Sequence, residues 1–297
     1  MQEFLSDLPV DKILARYGAS PGSEVKSGKF DSADSSAFLV ANAFGWFLER
    51  PEKLPAFPGF AGPPPFRVEV EHEMRFPWAG GRHPWLDVGV ETETLLIGVD
   101  SKRYEPFRPG KAGMFPEVFA RHDWGDRMRR YSGLMRQISA GEAGFESLDA
   151  VQLIKHAFGL RTQGVKRARQ PVLVYLYAEP PVWAGSGKPL DPARIALHRA
   201  EIAPLCRDRG RRSCAIRAAG VEDAAGPLGA GSGFAVACGG DAGKLRAAGV
   251  GWPKARPAPL EPPLPRPLSQ VRGGRGRQSR APPSPPRRGV GGEAFSG

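Results

Sequence analysis

The chain has 297 residues, 38 glycines, 31 prolines and a formal net charge of +11. No stretch approaches the roughly 18 consecutive apolar residues of a membrane span, and the opening MQEFLSDLPVDK has no basic-then-apolar leader pattern, so a cytoplasmic protein is expected. The three cysteines, Cys206, Cys214 and Cys238, all lie in the last third, which excludes a disulfide or a thiolate metal site from residues 1–205.

Charge divides the chain in two. Residues 1–205 carry 26 Lys and Arg against 25 Asp and Glu, whereas residues 206–297 carry 16 against 6. The basic excess therefore belongs to the tail and gives no reason to read the body as a nucleic-acid surface.

Within the body, 31–50 reads as a helix. DSADSS offers N-cap oxygens, AFLVANAFGWFLE follows, and Pro51 closes the run. Residues 51–65 are a Pro-rich loop. Phe66 to Met74 alternates as a strand, with Phe66, Val68, Val70, His72 and Met74 on one face and Arg67, Glu69, Glu71 and Glu73 on the other. A β-hairpin follows over Trp85–Phe107. Pro116 to Ile138 is helical in part, and Ser147 caps a helix running SLDAVQLIKHAFGL. PVLVYLYAEP, 171–180, is a continuous apolar strand of the kind buried on both faces. Asp191-Pro192 opens the last helix as N-cap and first-turn proline. This order predicts one α/β domain over 1–205, a sheet flanked by helices.

The hairpin is the unusual segment, because carboxylates interrupt its apolar strands. A four-residue turn Glu91–Thr94 sets Val90 against Leu95, Val88 against Ile97 and Leu86 against Val99 on one face. Asp87, Gly89, Gly98, Asp100 and Lys102 then share the other face, with Asp87 opposite Gly98 and diagonal to Asp100. Two glycines leave a notch beside two acids and an ammonium. Neighbouring carboxylates repel unless a cation intervenes. A hard divalent ion with oxygen ligands resolves the repulsion and brings phosphoryl chemistry. Glu73, or else Glu71, on the adjacent strand is the candidate third acid. His72, His83, His122 and His198 have no ligand spacing and read as structural.

From Cys206 onward, Gly, Ala, Pro and Arg make up 59 of 92 residues, without a 3.6 or 2.0 hydrophobic period. Disorder is expected. An Arg/Gly-rich nucleic-acid arm would have this composition. So would out-of-frame translation of GC-rich DNA starting near Pro204–Arg209, the reading we favour. Gly229 to Gly233 lacks the strand and the Lys-Ser/Thr pair of a phosphate cradle.

Asp87, twelve intervening residues and then Asp100-Ser101-Lys102 on a hairpin after a helix resemble the PD-(D/E)XK nuclease superfamily. More narrowly, residues 25–205 are similar to a restriction-endonuclease-like branch. The shared motifs are Ser35-Ser36-Ala37 with Asn42 and Phe44, the run Lys102–Phe107, Gln152–Leu160 and Tyr175–Pro180. The resemblance implies a restriction-endonuclease-like core, a mixed sheet between helices. It also implies cleavage of DNA, less readily RNA, supported by Mg²⁺ or Mn²⁺. Metal ligands would be Asp87, Asp100 and the Ser101 carbonyl, with Glu73 the candidate addition from the acidic strand. Lys102 would position or activate water, and Gln152 would be the polar residue added from the following helix. A homodimer is compatible with the family, and no membrane partner is implied. Leu86 stands where the family usually has Pro, Asp100 where it more often has Glu. Its first-helix Glu has no clearer counterpart than Glu49.

Overall fold

The computed structural model describes residues 3–206, except 23, 58, 59, 61, 111 and 112, together with the backbone of 215–221. Five strands form one mixed sheet in sequence order: β1 (Arg67–Glu73), β2 (Trp85–Glu91), β3 (Leu95–Lys102), β4 (Gln170–Ala178) and β5 (Ala215–Val221). β1, β2 and β3 run antiparallel, while β4 is parallel to β3 and β5 to β4. The principal helices are α1 (Val10–Ala19), α2 (Ser36–Phe44), α3 (Val118–Arg121), α4 (Arg129–Ser139), α5 (Ala150–Lys166) and α6 (Pro192–Cys206). The α/β class is as expected. Among the described residues, no helix is long and apolar enough to cross a membrane.

Both faces of the sheet are covered. Ile13 and Tyr17 of α1 and Phe38 and Ala41 of α2 pack with Val68, Val88, Ile97 and Val174. On the other face Leu153, Ile154 and Phe158 of α5 pack with Leu86, Leu96 and Leu173. β4 lies between these layers and is buried at every position after Gln170, which explains its unbroken apolar run. Each large aliphatic or aromatic side chain buried there contributes about 1.5–3 kcal/mol.

Local chemistry sets the helix ends. Ser35 Oγ accepts the Phe38 N–H at 3.0 Å and starts α2. The helix expected over 31–50 is shorter, tightening to a 3₁₀ turn at Gly45–Leu48. Asp149 Oδ1 accepts the Gln152 N–H at 2.8 Å at the start of α5, so Asp149 and not Ser147 is the cap. At α6, Asp191 Oδ1 accepts the Ala193 N–H at 2.9 Å. α1 lies outside the predicted elements.

The hairpin register differs from the expected one by two residues. Val90 faces Ile97 and Val88 faces Val99. Thr92 fixes the turn one residue later: its N–H donates to the Leu95 carbonyl at 3.0 Å and its Oγ1 accepts from Thr94 N–H (3.2 Å) and Leu95 N–H (2.9 Å). A shift of two preserves parity along β3. Leu96 packs on the α5 side and Ile97 on the α2 side.

Parity fails at one step of β1 and β2, contrary to the single apolar face expected for each. Val68 and Val70 pack on the α2 side but Met74 on the α5 side, and likewise Val88 and Val90 against Leu86. The switch falls between the pairs Val70–Val88 and His72–Leu86, at Glu71 and Asp87. Glu71 has φ 50°, a left-handed conformation that breaks the pleat and re-aims the side chains beyond it. Asp87 therefore sits where two strands turn over.

The two hairpin glycines open no notch. A Cβ on Gly89 would lie 2.3 Å from His72 Cγ and 2.8 Å from its Cβ; one on Gly98 would lie 2.2 Å from Leu86 Cδ1. They admit neighbouring side chains to a packed sheet. Gly89→Ala is expected to destabilise by about 1–3 kcal/mol. Gly98→Ala should cost less, because Leu86 and Leu160 meet the new methyl only with their terminal carbons, which can turn aside. Chemical denaturation of the two variants checks the order.

At the opposite end of the hairpin, Glu91 is buried beneath Arg167 (2.5 Å), Arg169 (3.0 Å) and Arg67 (3.5 Å). Arg169 Nε also donates to the Thr92 carbonyl at 2.8 Å, tying the turn to the start of β4.

β5 corrects the expectation that no regular element follows Cys206. Its backbone pairs with β4 from Val172–Ala215 to Ala178–Val221. Main-chain hydrogen bonds along an open edge make this strand, so side-chain periodicity carries no sign of it. The rest of the tail, with Gly229–Gly233, the arginine-rich run and the expected disorder, lies outside the described residues.

Candidate metal centre at the end of the central strand

β3 is the middle strand, and Asp100, Ser101 and Lys102 close its C-terminal end beside β4. Asp100 is 1% exposed and Ser101 2%. Lys102 Nζ donates to Asp100 Oδ1 at 3.0 Å. Asp87 comes from β2, one step beyond the last β2–β3 pair, and its Oδ2 accepts the Ser101 N–H at 2.5 Å. In this register Asp87 stands across from Asp100, closer than the diagonal placement expected from sequence.

The electrostatics are those of a crowded anionic pair with one cation. Burial pushes the Asp87 carboxyl up to about 7; Lys102 and the Ser101 amide oppose the rise, while Asp100 and Glu71 add to it. For Lys102, burial favours the neutral amine, but Asp100, Asp87 and Glu105 outweigh it and hold the ammonium charged. Asp100 Oδ2 is buried and has no hydrogen-bond partner among the described residues.

α5 brings a further group from outside the expected site residues. His156 is 3% exposed, and its Nδ1 lies 3.4 Å from Asp100 Oδ1 without a hydrogen-bond partner. Burial lowers its pKa to about 4 despite the nearby Asp100, so the ring is neutral at pH 7. The sequence does carry a signal for it: His156 follows Gln152 by four and shares its helix face. Gln152 itself is partly buried in the first turn of α5, and among the described residues no hydrogen bond joins it to Asp87, Asp100 or Lys102.

The candidate third acids do not converge here. Glu73 pairs with Arg75 at 3.1 Å and stands opposite Trp85. Glu71 is the strand acid whose charge acts on Asp87, but its own carboxyl is buried, and burial raises its pKa. Glu49 pairs with Lys12 at 2.6 Å. Among the described residues, no three His, Cys, Asp or Glu side chains form a ready ligand cluster.

The other histidines are absorbed in packing. His72 Nδ1 contacts Glu69 Oε2 at 2.6 Å, His83 Nδ1 accepts the Phe76 N–H at 3.1 Å, and His198 Nε2 meets the Tyr175 hydroxyl at 2.9 Å. His122 sits edge-on to Trp124.

The donor set fits a hard divalent ion in part. A buried carboxylate oxygen is costly to leave unpaired, and a cation is one partner that would satisfy it. With two acids in place of three, such an ion must draw on carbonyl, water or phosphate oxygens as well.

No family model, curated protein or solved structure matches the chain.

Proposed function

We propose that this protein is a metal-dependent endonuclease that hydrolyses DNA phosphodiester bonds, of the restriction, defence or repair type. The observation that carries this is the facing Asp87–Asp100 pair with Lys102 at the end of the central strand, one of its buried oxygens lacking any partner. The succession α2, β1, β2, β3, α5, β4, with three antiparallel strands and a parallel fourth, is compatible with a restriction-endonuclease-like core.

Asp87, Asp100 and the Ser101 carbonyl would hold the ion. Bound Mg²⁺ or Mn²⁺ would polarise a phosphoryl oxygen and acidify a water. The protein's own contribution is orientation and charge. The Ser101 amide fixes Asp87, and Lys102 fixes Asp100. The same ammonium places a positive charge where negative charge builds on phosphorus. Gln152, one helical turn from His156, would orient substrate from α5. The work would be done in the cytoplasm.

A second reading has its own support. Lys102 and Asp100 already neutralise each other, and the proton held by Asp87 relieves the remaining repulsion. Such a body would need no metal, as in an inactive nuclease-like protein that binds nucleic acid through its arginine-rich tail.

One experiment separates them. Plasmid and oligonucleotide cleavage by the full chain with Mg²⁺ or Mn²⁺ should fall by at least about a hundredfold in Asp100→Asn. Cleavage that survives the substitution overturns the assignment. Steeply salt-dependent binding with no cleavage by the parent protein favours the inactive reading.

A further inference from the structure

Among the described residues, two buried polar atoms beside the carboxylate pair have no hydrogen-bond partner: Asp100 Oδ2 and His156 Nδ1. They belong to residues 1% and 3% exposed, on different elements, β3 and α5. Each unpaired buried group carries a desolvation penalty. Two of them on adjacent side chains call for one common partner. Asp87 is less free to supply it, since its Oδ2 is engaged by the Ser101 amide.

We infer that His156 is a nitrogen donor of this centre beside Asp100, and that the ion bound is an imidazole-accepting one such as Mn²⁺ or Zn²⁺ in preference to Mg²⁺. The inference rests on the reading that a divalent ion binds at Asp100. Its geometry is favourable. His156 Nδ1 lies 3.4 Å from Asp100 Oδ1, so the ring stands beside the carboxylate whose other oxygen is unpaired among the described residues. Lys102 occupies Oδ1, so the second oxygen remains for the ion. Imidazole suits Mn²⁺ and Zn²⁺, whereas Mg²⁺ takes oxygen and keeps its water. A mixed oxygen–nitrogen pair therefore selects against Mg²⁺. Packing supports His156 from behind: it lies in α5 among the buried Leu153, Ile154, Ala157 and Leu160, which restricts the ring to the sheet.

The test is pulsed electron paramagnetic resonance on the full chain loaded with Mn²⁺. The expected result is a ¹⁴N modulation from a bound imidazole, lost in His156→Gln, with Mn²⁺ affinity falling by about 10–100-fold. Should that variant fail to fold, the parent protein made with ¹⁵N-histidine decides the point, because the ¹⁴N signal must give way to ¹⁵N. Mn²⁺ bound without nitrogen modulation, or with modulation that survives His156→Gln, overturns the inference and leaves the Asp87–Asp100 reading intact. Absence of any Mn²⁺ binding overturns both.

Discussion

Lys102→Met is expected to cost about 3–5 kcal/mol of folding stability at pH 7.5, because it strips a buried anion of its counter-charge. With the lysine present, Asp87, Asp100 and Lys102 carry at most one net negative charge; without it the two acids carry up to two. Methionine preserves the apolar stem, so the loss reports charge and not packing. The lysine side chain is 16% exposed and that of Asp100 only 2%, which sets this pair apart from a surface ion pair worth about 0–1 kcal/mol. Urea denaturation without divalent ions measures it. The cost should shrink at pH 5, where Asp87 takes up its proton. A loss under about 1 kcal/mol at pH 7.5 would mean that water screens the pair after all.

Asp87→Asn is expected to act in the opposite direction. Its removal leaves Asp100 and Lys102 as a neutral couple, and an amide oxygen can still accept the Ser101 N–H. The Asp87 carboxyl lies at about 7 in the fold against an ordinary 3.8, chiefly through burial. Between these values the folded state holds a proton that the unfolded chain has released. Native stability therefore falls as pH rises through that window. The variant lacks this slope. The two proteins should be similar near pH 4, and the asparagine variant more stable by about 2–4 kcal/mol at pH 8 without divalent ions. His156, lowered to about 4, contributes the opposite trend, with stability lost as pH falls from the ordinary histidine range toward 4. That contribution cancels in the difference between the two proteins. Added Mn²⁺ should raise the melting temperature of the parent at pH 8 and leave the variant unmoved. Parallel pH profiles for the two would refute the raised carboxyl.

Much of the scaffold is legible because it is written in side-chain periodicity. β4 shows as an unbroken apolar run, α6 through Asp191-Pro192, and the hairpin through alternation that survives a two-residue register shift. The shift itself comes from the Thr92 hydroxyl bonding the turn, a local competition that strand patterns do not display. The face switch at Glu71 and Asp87 is not legible, since a left-handed glutamate has no sequence signature. α1 leaves a readable sign: Val10, Ile13, Leu14 and Tyr17 follow a helical period. At the candidate site, Asp87, Asp100 and Lys102 come together as the hairpin suggests. Glu73 does not join them, because the strand turns over between it and Asp87. His156 is legible only as a neighbour of Gln152 on one helix face; its approach to Asp100 follows from how α5 docks on the sheet, for which there is no local code.

The bond from the Ser101 amide to Asp87 has a consequence for how events at this centre would be felt elsewhere. A carboxylate here replaces the main-chain acceptor that a neighbouring strand ordinarily offers, so the last rung of the β2–β3 ladder is built from a titratable group. A ligand that draws that oxygen away also unfastens the rung. Occupancy of the carboxylate and solvent exchange of a single amide are therefore two readings of one latch.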